Sequence, residues 1–215
     1  MVSNARWTSG PSWYYGEQEI VEGRKCFFVS KMGINMHQLD KVILVNQKDE
    51  VIGEMDKMDA HRGEGKLHRA ISVFLFRKLG DDVELLIQQR SAKKIVGAHQ
   101  WANTVCGNVR PGETYEVCAR RRLEEELGII DPQLILTPAK KFQYQVKCNE
   151  EFSENEIDQI FTGWFDGELN INPDEVQKVD WISWQSLQNG KYADLEYNWA
   201  PWFVIMMESA KEIYE

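Results

Sequence analysis

The stretch GNVRPGETYEVCARRRLEEELGI, from Gly107 to Ile129, constrains this chain more than any other. Gly107, Glu113, Arg121, Leu123, Glu125, Glu126, Gly128 and Ile129 are spaced as a loop followed by a helix. Pro111-Gly112 is turn chemistry, and Glu113 to Leu127 contains neither Pro nor Gly to interrupt a helix. Ala119, Leu123 and Leu127 recur one turn apart, a narrow apolar stripe that can bury against a sheet. Arg122 and Glu126 share another face, as do Arg121 and Glu125. Taken alone, a helix so rich in charge is usually a solvated one laced with salt bridges. Magnesium and manganese bind through one or two carboxylates plus substrate phosphate oxygens, so a helix face that holds divalent metal is the other reading open to this pattern.

Composition narrows the remaining classes. The 215 residues are of a length for one domain with ample core, and 43% hydrophobic with 27% charged residues is ordinary for a globular protein. A net charge of −9 argues against a nucleic-acid partner, whose binding surface would be basic. No apolar run approaches the roughly 20 residues of a membrane span. The N-terminus shows no charged-then-apolar signal pattern, so a cytoplasmic location is expected. Cys26, Cys106, Cys118 and Cys148 lack CxxC spacing and read as free thiols. The chain is expected to act as a monomer or homodimer.

Residues 1–36 differ in composition from the rest and form an aromatic-rich N-terminal extension carrying Trp7, Trp13, Tyr14 and Tyr15. So many aromatic side chains in a free tail would invite association, and the segment is expected to be partly ordered. Residues 37–215 read as a single domain without internal repeats. Strands are expected at 42–46, 51–55, 70–76 and 83–88, the last two joined by Gly80-Asp81-Asp82. The helix of the charged stretch follows. Further strands are expected at 141–146, 157–164 and 176–184, with a last helix from Pro201 to Tyr214. The resulting class is α/β (α+β), a mixed sheet sandwiched between helices.

Four short pieces outside the helix carry chemistry. His61 and His68 stand in DAHRGEGKLHRA, the first read as a loop residue and the second at the mouth of a strand. Glu154 and Glu156 open a strand, where alternate residues share a face. Two adjacent carboxylates raise each other's pKa unless a cation lies between them. With two imidazoles they would make a borderline nitrogen/oxygen site suited to manganese, zinc or iron. Asn103-Thr104-Val105-Cys106-Gly107 puts a thiol directly before the charged stretch. In Trp199-Ala200-Pro201-Trp202, Pro201 favours a helix start. Singly, each has a plainer explanation: a structural His, a buried thiol, a core aromatic.

The stretch from Gly107 to Ile129 resembles the Nudix box, G-x5-E-x7-R-E-U-x-E-E-x-G-U with U a bulky aliphatic residue. It departs at position 122, which is Arg where the box has Glu. From about Lys41 onward the chain resembles the type I isopentenyl-diphosphate delta-isomerases, a Nudix-fold family that interconverts isopentenyl and dimethylallyl diphosphate. LHRAISVFLF, LLIQQRS, NTVCG, RRRLEEELG, ENEID and APWF appear in family order, and the family also carries Arg at the position of Arg122. The resemblance implies an acid/base pair on Cys106 and Glu156, with Tyr144 hydrogen-bonding the glutamate and Trp202 offering a π-face to a cationic intermediate. It places a protein-bound metal on His61, His68, Glu154 and Glu156, and a magnesium that arrives with the diphosphate on Glu126. Lys57, Arg90, Lys94 and Arg122 match the family's diphosphate-contacting residues.

The chain also departs from the family. Where the family reads C-G-H-P, with that His a metal ligand, this sequence has Cys106-Gly107-Asn108-Val109. Asn108 is expected to offer its side-chain oxygen or to yield the position to water, favouring manganese or magnesium over zinc. His99, in the altered segment Val96-Gly97-Ala98-His99-Gln100, is the other histidine near in sequence and the alternative source of the lost nitrogen. Three functions follow as expectations: an isomerase of isoprenoid diphosphates, a Nudix pyrophosphohydrolase on the same scaffold, or a catalytically silent binding homologue. Retention of Cys106, Tyr144, Glu156 and Trp202 favours the first, and Arg122 counts against the second.

Overall fold

The computed structural model describes residues 19–21, 24–26, 41–190 and 196–209. Most of the aromatic segment 1–36, and the end of the C-terminal helix expected to reach Tyr214, lie outside the described residues. A short antiparallel pair, β1 (Glu19–Val21) with β2 (Arg24–Cys26), is a unit of its own. The unit from Asp40 onward is built on one mixed sheet. Its strands are β3 (Lys41–Val45), β4 (Val51–Asp56), β5 (His68–Leu79), β6 (Asp82–Arg90), β7 (Trp101–Ala102), β8 (Val105–Asn108), β9 (Thr137–Lys147), β10 (Ser153–Trp164) and β11 (Val176–Ser183). The central order is β11-β6-β5-β10-β9, parallel only between β5 and β10. The helices are α1 (Lys57–His61), α2 (Tyr115–Leu127), α3 (Trp184–Gln188) and α4 (Pro201–Ser209). Among the described residues, no helix is long and apolar enough to cross a membrane.

The continuous apolar run at 70–76 has a simple cause: β5 is covered on both faces. Ile71, Val73 and Leu75 join Val105, Cys118, Ala119, Leu123 and Leu127 under α2. Phe74 and Phe76 join Ile87, Trp202, Phe203 and Met206 under α3 and α4. Full burial of Leu123 and Leu127 contributes roughly 1.5–3 kcal/mol each. Thr114 caps α2 by accepting from the Val117 N–H at 3.2 Å, and Gly128 ends it in the left-handed region at φ 67.

One feature of the pairing makes a site. β5 pairs with β6 only from Phe76 to Leu79, and over Ala70–Val73 its partner is β8. The sheet therefore opens between β5 and β6, and Arg90 at the end of β6 and Cys106 on β8 line one cleft. Segment 198–200 is pinned along its edge, with the Trp101 N–H donating to the Asn198 carbonyl and the Ala200 N–H to that of Trp101, both at 2.8 Å. That places the start of α4, and so Trp202, against the cleft.

The short helices were not anticipated. α1 begins at Asp56, whose carboxylate accepts from the Met58 and Asp59 N–H groups at 2.8 and 3.3 Å. His61 therefore sits in the last turn of a helix and not in a loop. A five-residue element shows no period, and the Asp cap was its only sequence signal.

Candidate active site

The cleft has a volume of about 460 Å³ and is lined by Lys57, His61, Arg90, Lys94, Cys106, Asn108, Tyr144, Glu154, Glu156 and Trp202, among others. His68 is fully buried at the start of β5, and Glu126 is buried on α2.

At one end His61, His68, Glu154 and Glu156 each present a ligand atom, all within 4.8 Å of one another. The strands arrange this directly. Glu154 and Glu156 alternate on β10, and Glu156 stands beside His68 in the parallel β5–β10 register. Both imidazoles are oriented through their other nitrogen: His61 Nδ1 lies 2.6 Å from the Lys57 carbonyl and His68 Nδ1 2.7 Å from that of Lys66. Carbonyls only accept, so Nδ1 carries the proton and each Nε2 presents a lone pair. His61 Nε2 faces Glu154 Oε2 at 2.9 Å, and that buried oxygen has no hydrogen-bond partner. His68 Nε2 faces Glu156 Oε1 at 3.3 Å. Burial first, and then the Glu154 charge, pushes the Glu156 carboxyl up to about 8. Two buried carboxyl groups, one pushed up by the charge of the other, beside two imidazole lone pairs are what a divalent cation relieves, so the donor set fits one.

Asn108 enters this cluster with its nitrogen. Nδ2 lies 3.0 Å from both His68 Nε2 and Glu156 Oε1. This differs from the side-chain oxygen expected from the sequence. Two acceptors require a donor between them, and a half-turn of the amide would bring the oxygen inward. His99 is elsewhere: its Nδ1 pairs with Gln177 Oε1 at 2.8 Å, so it does not replace the missing imidazole.

Glu156 also accepts from the Tyr144 hydroxyl at 2.5 Å, across the antiparallel β9–β10 register. Cys106 projects from β8, opposite Ser72. Its thiol donates to Asn103 Oδ1 at 3.0 Å. The Asn103 amide cannot turn, because its Nδ2 donates to the Val73 and Val105 carbonyls at 3.1 and 2.9 Å. Ser72 Oγ lies 3.6 Å from Cys106 Sγ and donates to Asp158 at 2.7 Å. Burial, with the Asp158 charge adding to it, pushes the thiol up to about 12. Cys106 is thus held as a neutral thiol. Asn103, Ser72 and Asp158 escaped the sequence reading, although ENEID already continued the alternation to Asp158. Trp202 lies nearby with the Arg90 guanidinium 5.1 Å above its ring. Gly97, at φ 65, allows the loop to close over that ring, since a Cβ there would come within 2.6 Å of it.

The other end is ionic. Arg122 donates Nε to Glu126 and Nη1 to Glu125, each at 2.8 Å, and Nη2 to Glu175 at 2.8 Å. Gln88 holds the second Glu126 oxygen at 2.5 Å. Lys94 pairs with Glu175. Burial, then the Arg122 and Lys94 charges, brings the Lys57 ammonium down to about 8. Lys57, Arg90 and Lys94 thus line one end of the cleft together. No local pattern in the sequence had marked Glu175. Gly107 lies directly against the Arg122 side chain, because a Cβ there would stand 2.6 Å from Arg122 Cγ. With Arg122 held by three carboxylates that contact cannot relax freely. Gly107→Ala is expected to cost about 1–3 kcal/mol, read by denaturant unfolding, and an unchanged midpoint would show Arg122 to be loosely held.

Comparison with known proteins agrees with this geometry. The NUDIX domain family matches residues 66–203. Isopentenyl-diphosphate Delta-isomerase 1 of Aromatoleum aromaticum is 43% identical over 143 residues, covering 66% of this chain and 77% of the relative. The isopentenyl-diphosphate Delta-isomerase of Serratia proteamaculans is 35% identical over 169 residues, 79% of this chain and 90% of that protein. In fold, the chain is similar to the DR0079 protein of Deinococcus radiodurans, with a TM-score of 0.63 at 24% identity over 81% of this chain and 99% of that one. By family model, by relatives and by fold, the chain belongs to the Nudix superfamily and, within it, to the isopentenyl-diphosphate Delta-isomerases.

Proposed function

We infer that this protein interconverts isopentenyl and dimethylallyl diphosphate, with Cys106 and Glu156 working on opposite faces of the allyl unit. The observation that carries the residue assignment is that one cleft holds a neutral thiol, a carboxyl hydrogen-bonded to a tyrosine, an indole ring and a cluster of cations. An unactivated alkene is a poor base. Adding a proton at its terminal carbon gives a tertiary carbocation, and removing one from the neighbouring methylene completes the shift of the double bond. The two steps need a donor and an acceptor placed apart, with walls that offer the cation no nucleophile.

Cys106 and Glu156 stand on β8 and β10, on either side of β5. Tyr144 steadies the Glu156 proton. The Trp202 face stabilises a desolvated cation by roughly 0.5–2 kcal/mol, useful but too little to be the main contribution. Lys57, Arg90, Lys94 and Arg122 anchor the diphosphate, and that anchoring energy holds the alkene between the pair. His61, His68, Glu154 and Glu156 would hold a divalent metal whose charge tunes the proton affinity of Glu156, and Glu126 would meet a magnesium that comes with the substrate. The pyrophosphohydrolase reading is weaker, because Arg122 puts a cation where a hydrolase needs a carboxylate. Incubation with isopentenyl diphosphate and magnesium decides between them: dimethylallyl diphosphate as product supports isomerisation, and released phosphate would replace it with hydrolysis.

Asn108 sets the metal expected here. An amide is a harder, neutral donor than imidazole, so manganese or magnesium is favoured over zinc. Asn108→His is expected to tighten zinc binding by about 10–100-fold, read by metal analysis and competition with a chelator. Unchanged zinc affinity would show that position 108 does not face the metal.

A further inference from the structure

Glu175 lies in the loop before β11 with its backbone fixed. Its N–H donates to the Asn172 carbonyl and its own carbonyl accepts from Ser91, both at 3.0 Å. Its side chain lines the cleft. There a single oxygen, Oε2, accepts from Arg122 Nη2 at 2.8 Å and from Lys94 Nζ. Those are two of the four cations assigned above to the diphosphate. Burial works to raise its pKa, but Arg122 and Lys94 bring it down to about 2, so Glu175 is an anion under all ordinary conditions.

The donors can be counted. A guanidinium has five N–H groups. Arg122 gives Nε to Glu126, Nη1 to Glu125, and Nη2 to both Glu126 and Glu175. One N–H remains, on Nη1. Arginine normally takes a phosphate through two parallel bonds, and that arrangement cannot form while Glu175 holds its place. Lys94 also has Glu175 as its ion-pair partner, which takes one of its three N–H donors.

The geometry points to Glu175 as an internal counter-ion that an incoming diphosphate displaces from Lys94 and Arg122, setting a threshold that a monophosphate does not clear. The inference rests on the diphosphate reading of the cleft. A lone phosphate group that evicts Glu175 exchanges one anion for another and gains little. A diphosphate replaces Glu175 with one phosphoryl group and carries the second to Lys57 and Arg90, which line the same cleft as Lys94 and Glu175. The Glu175 side chain is 28% exposed, so it has solvent to move into.

Calorimetric titration of the whole protein with inorganic pyrophosphate and with inorganic phosphate, at equal magnesium, tests this. The wild type is expected to bind pyrophosphate well and phosphate poorly. Glu175→Gln should bind both more tightly, each by roughly tenfold, because each anion displaces the same carboxylate. Glu175→Ala removes the same charge and gives the same readout if the Gln variant does not fold. Weaker pyrophosphate binding in the variants would make Glu175 a positioning group and overturn the proposal, as would unchanged affinity for both anions. A wild type that binds neither anion would overturn the diphosphate reading itself, an outcome visible before any variant is made.

Discussion

Cys106→Ala is expected to lower turnover of isopentenyl diphosphate by about three orders of magnitude, with the fold intact. The Cys106 thiol reaches no partner essential to packing. Removing it leaves Asn103 Oδ1 without its donor, at roughly 1–3 kcal/mol, while both Asn103 amide bonds to the backbone persist. Glu156→Gln should lose activity to a similar degree, because glutamine keeps an oxygen for the Tyr144 hydroxyl but cannot exchange a proton at neutral pH. Cys118→Ala is the matched control. That thiol is buried under α2, with its sulfur 3.3 Å from the Asn108 carbonyl, and its loss should lower stability far more than turnover. Steady-state kinetics beside denaturant unfolding separates the two effects. Near-normal isomerisation by Cys106→Ala would remove Cys106 from the acid/base pair.

What could be read from the sequence follows from how far local spacing reaches. α2 was legible because its carboxylates, its apolar stripe and its terminal Gly128 repeat within one element. The shared face of Glu154 and Glu156 was legible for the same reason, since strand alternation fixes it. The absent imidazole at Asn108 could be seen, but not that the amide would turn its nitrogen between His68 and Glu156. That orientation depends on two acceptors brought in from β5 and β10. Asn103 stood beside Cys106 in plain view, yet its role appears only when two backbone carbonyls fix the amide. Glu175 is far from Arg122 in sequence, and no period connects the loop before β11 with a helix on the sheet face. α1 failed for want of length. Pairings closed by tertiary structure are what a single sequence conceals.

Arg122→Glu should be the most damaging single change at the ionic end of the cleft. It removes the cation shared by Glu125, Glu126 and Glu175 and puts a fourth carboxylate among them. Breaking a buried ion pair by removing one partner costs roughly 3–5 kcal/mol, and the added like charge works in the same direction. The Arg122 side chain is 12% exposed and that of Glu126 1%, so solvent does little to screen either effect. Unfolding in urea should show the loss as a lower midpoint with an unchanged slope. Arg122→Gln, which removes the charge without reversing it, should fall between. Pyrophosphate affinity should drop in both variants, more in the glutamate. Because the glutamate also restores the residue that Nudix hydrolases carry here, its products report on ancestry as well as stability. Phosphate release from isopentenyl diphosphate would mean that Arg122 alone keeps this scaffold from hydrolysis. The expected result is loss of isomerisation with no hydrolysis gained, since the new carboxylate arrives beside Glu125, Glu126 and Glu175 with the cation that held them gone. A glutamate variant as stable as the wild type, binding pyrophosphate as tightly, would show that Arg122 holds neither the carboxylates nor the anion.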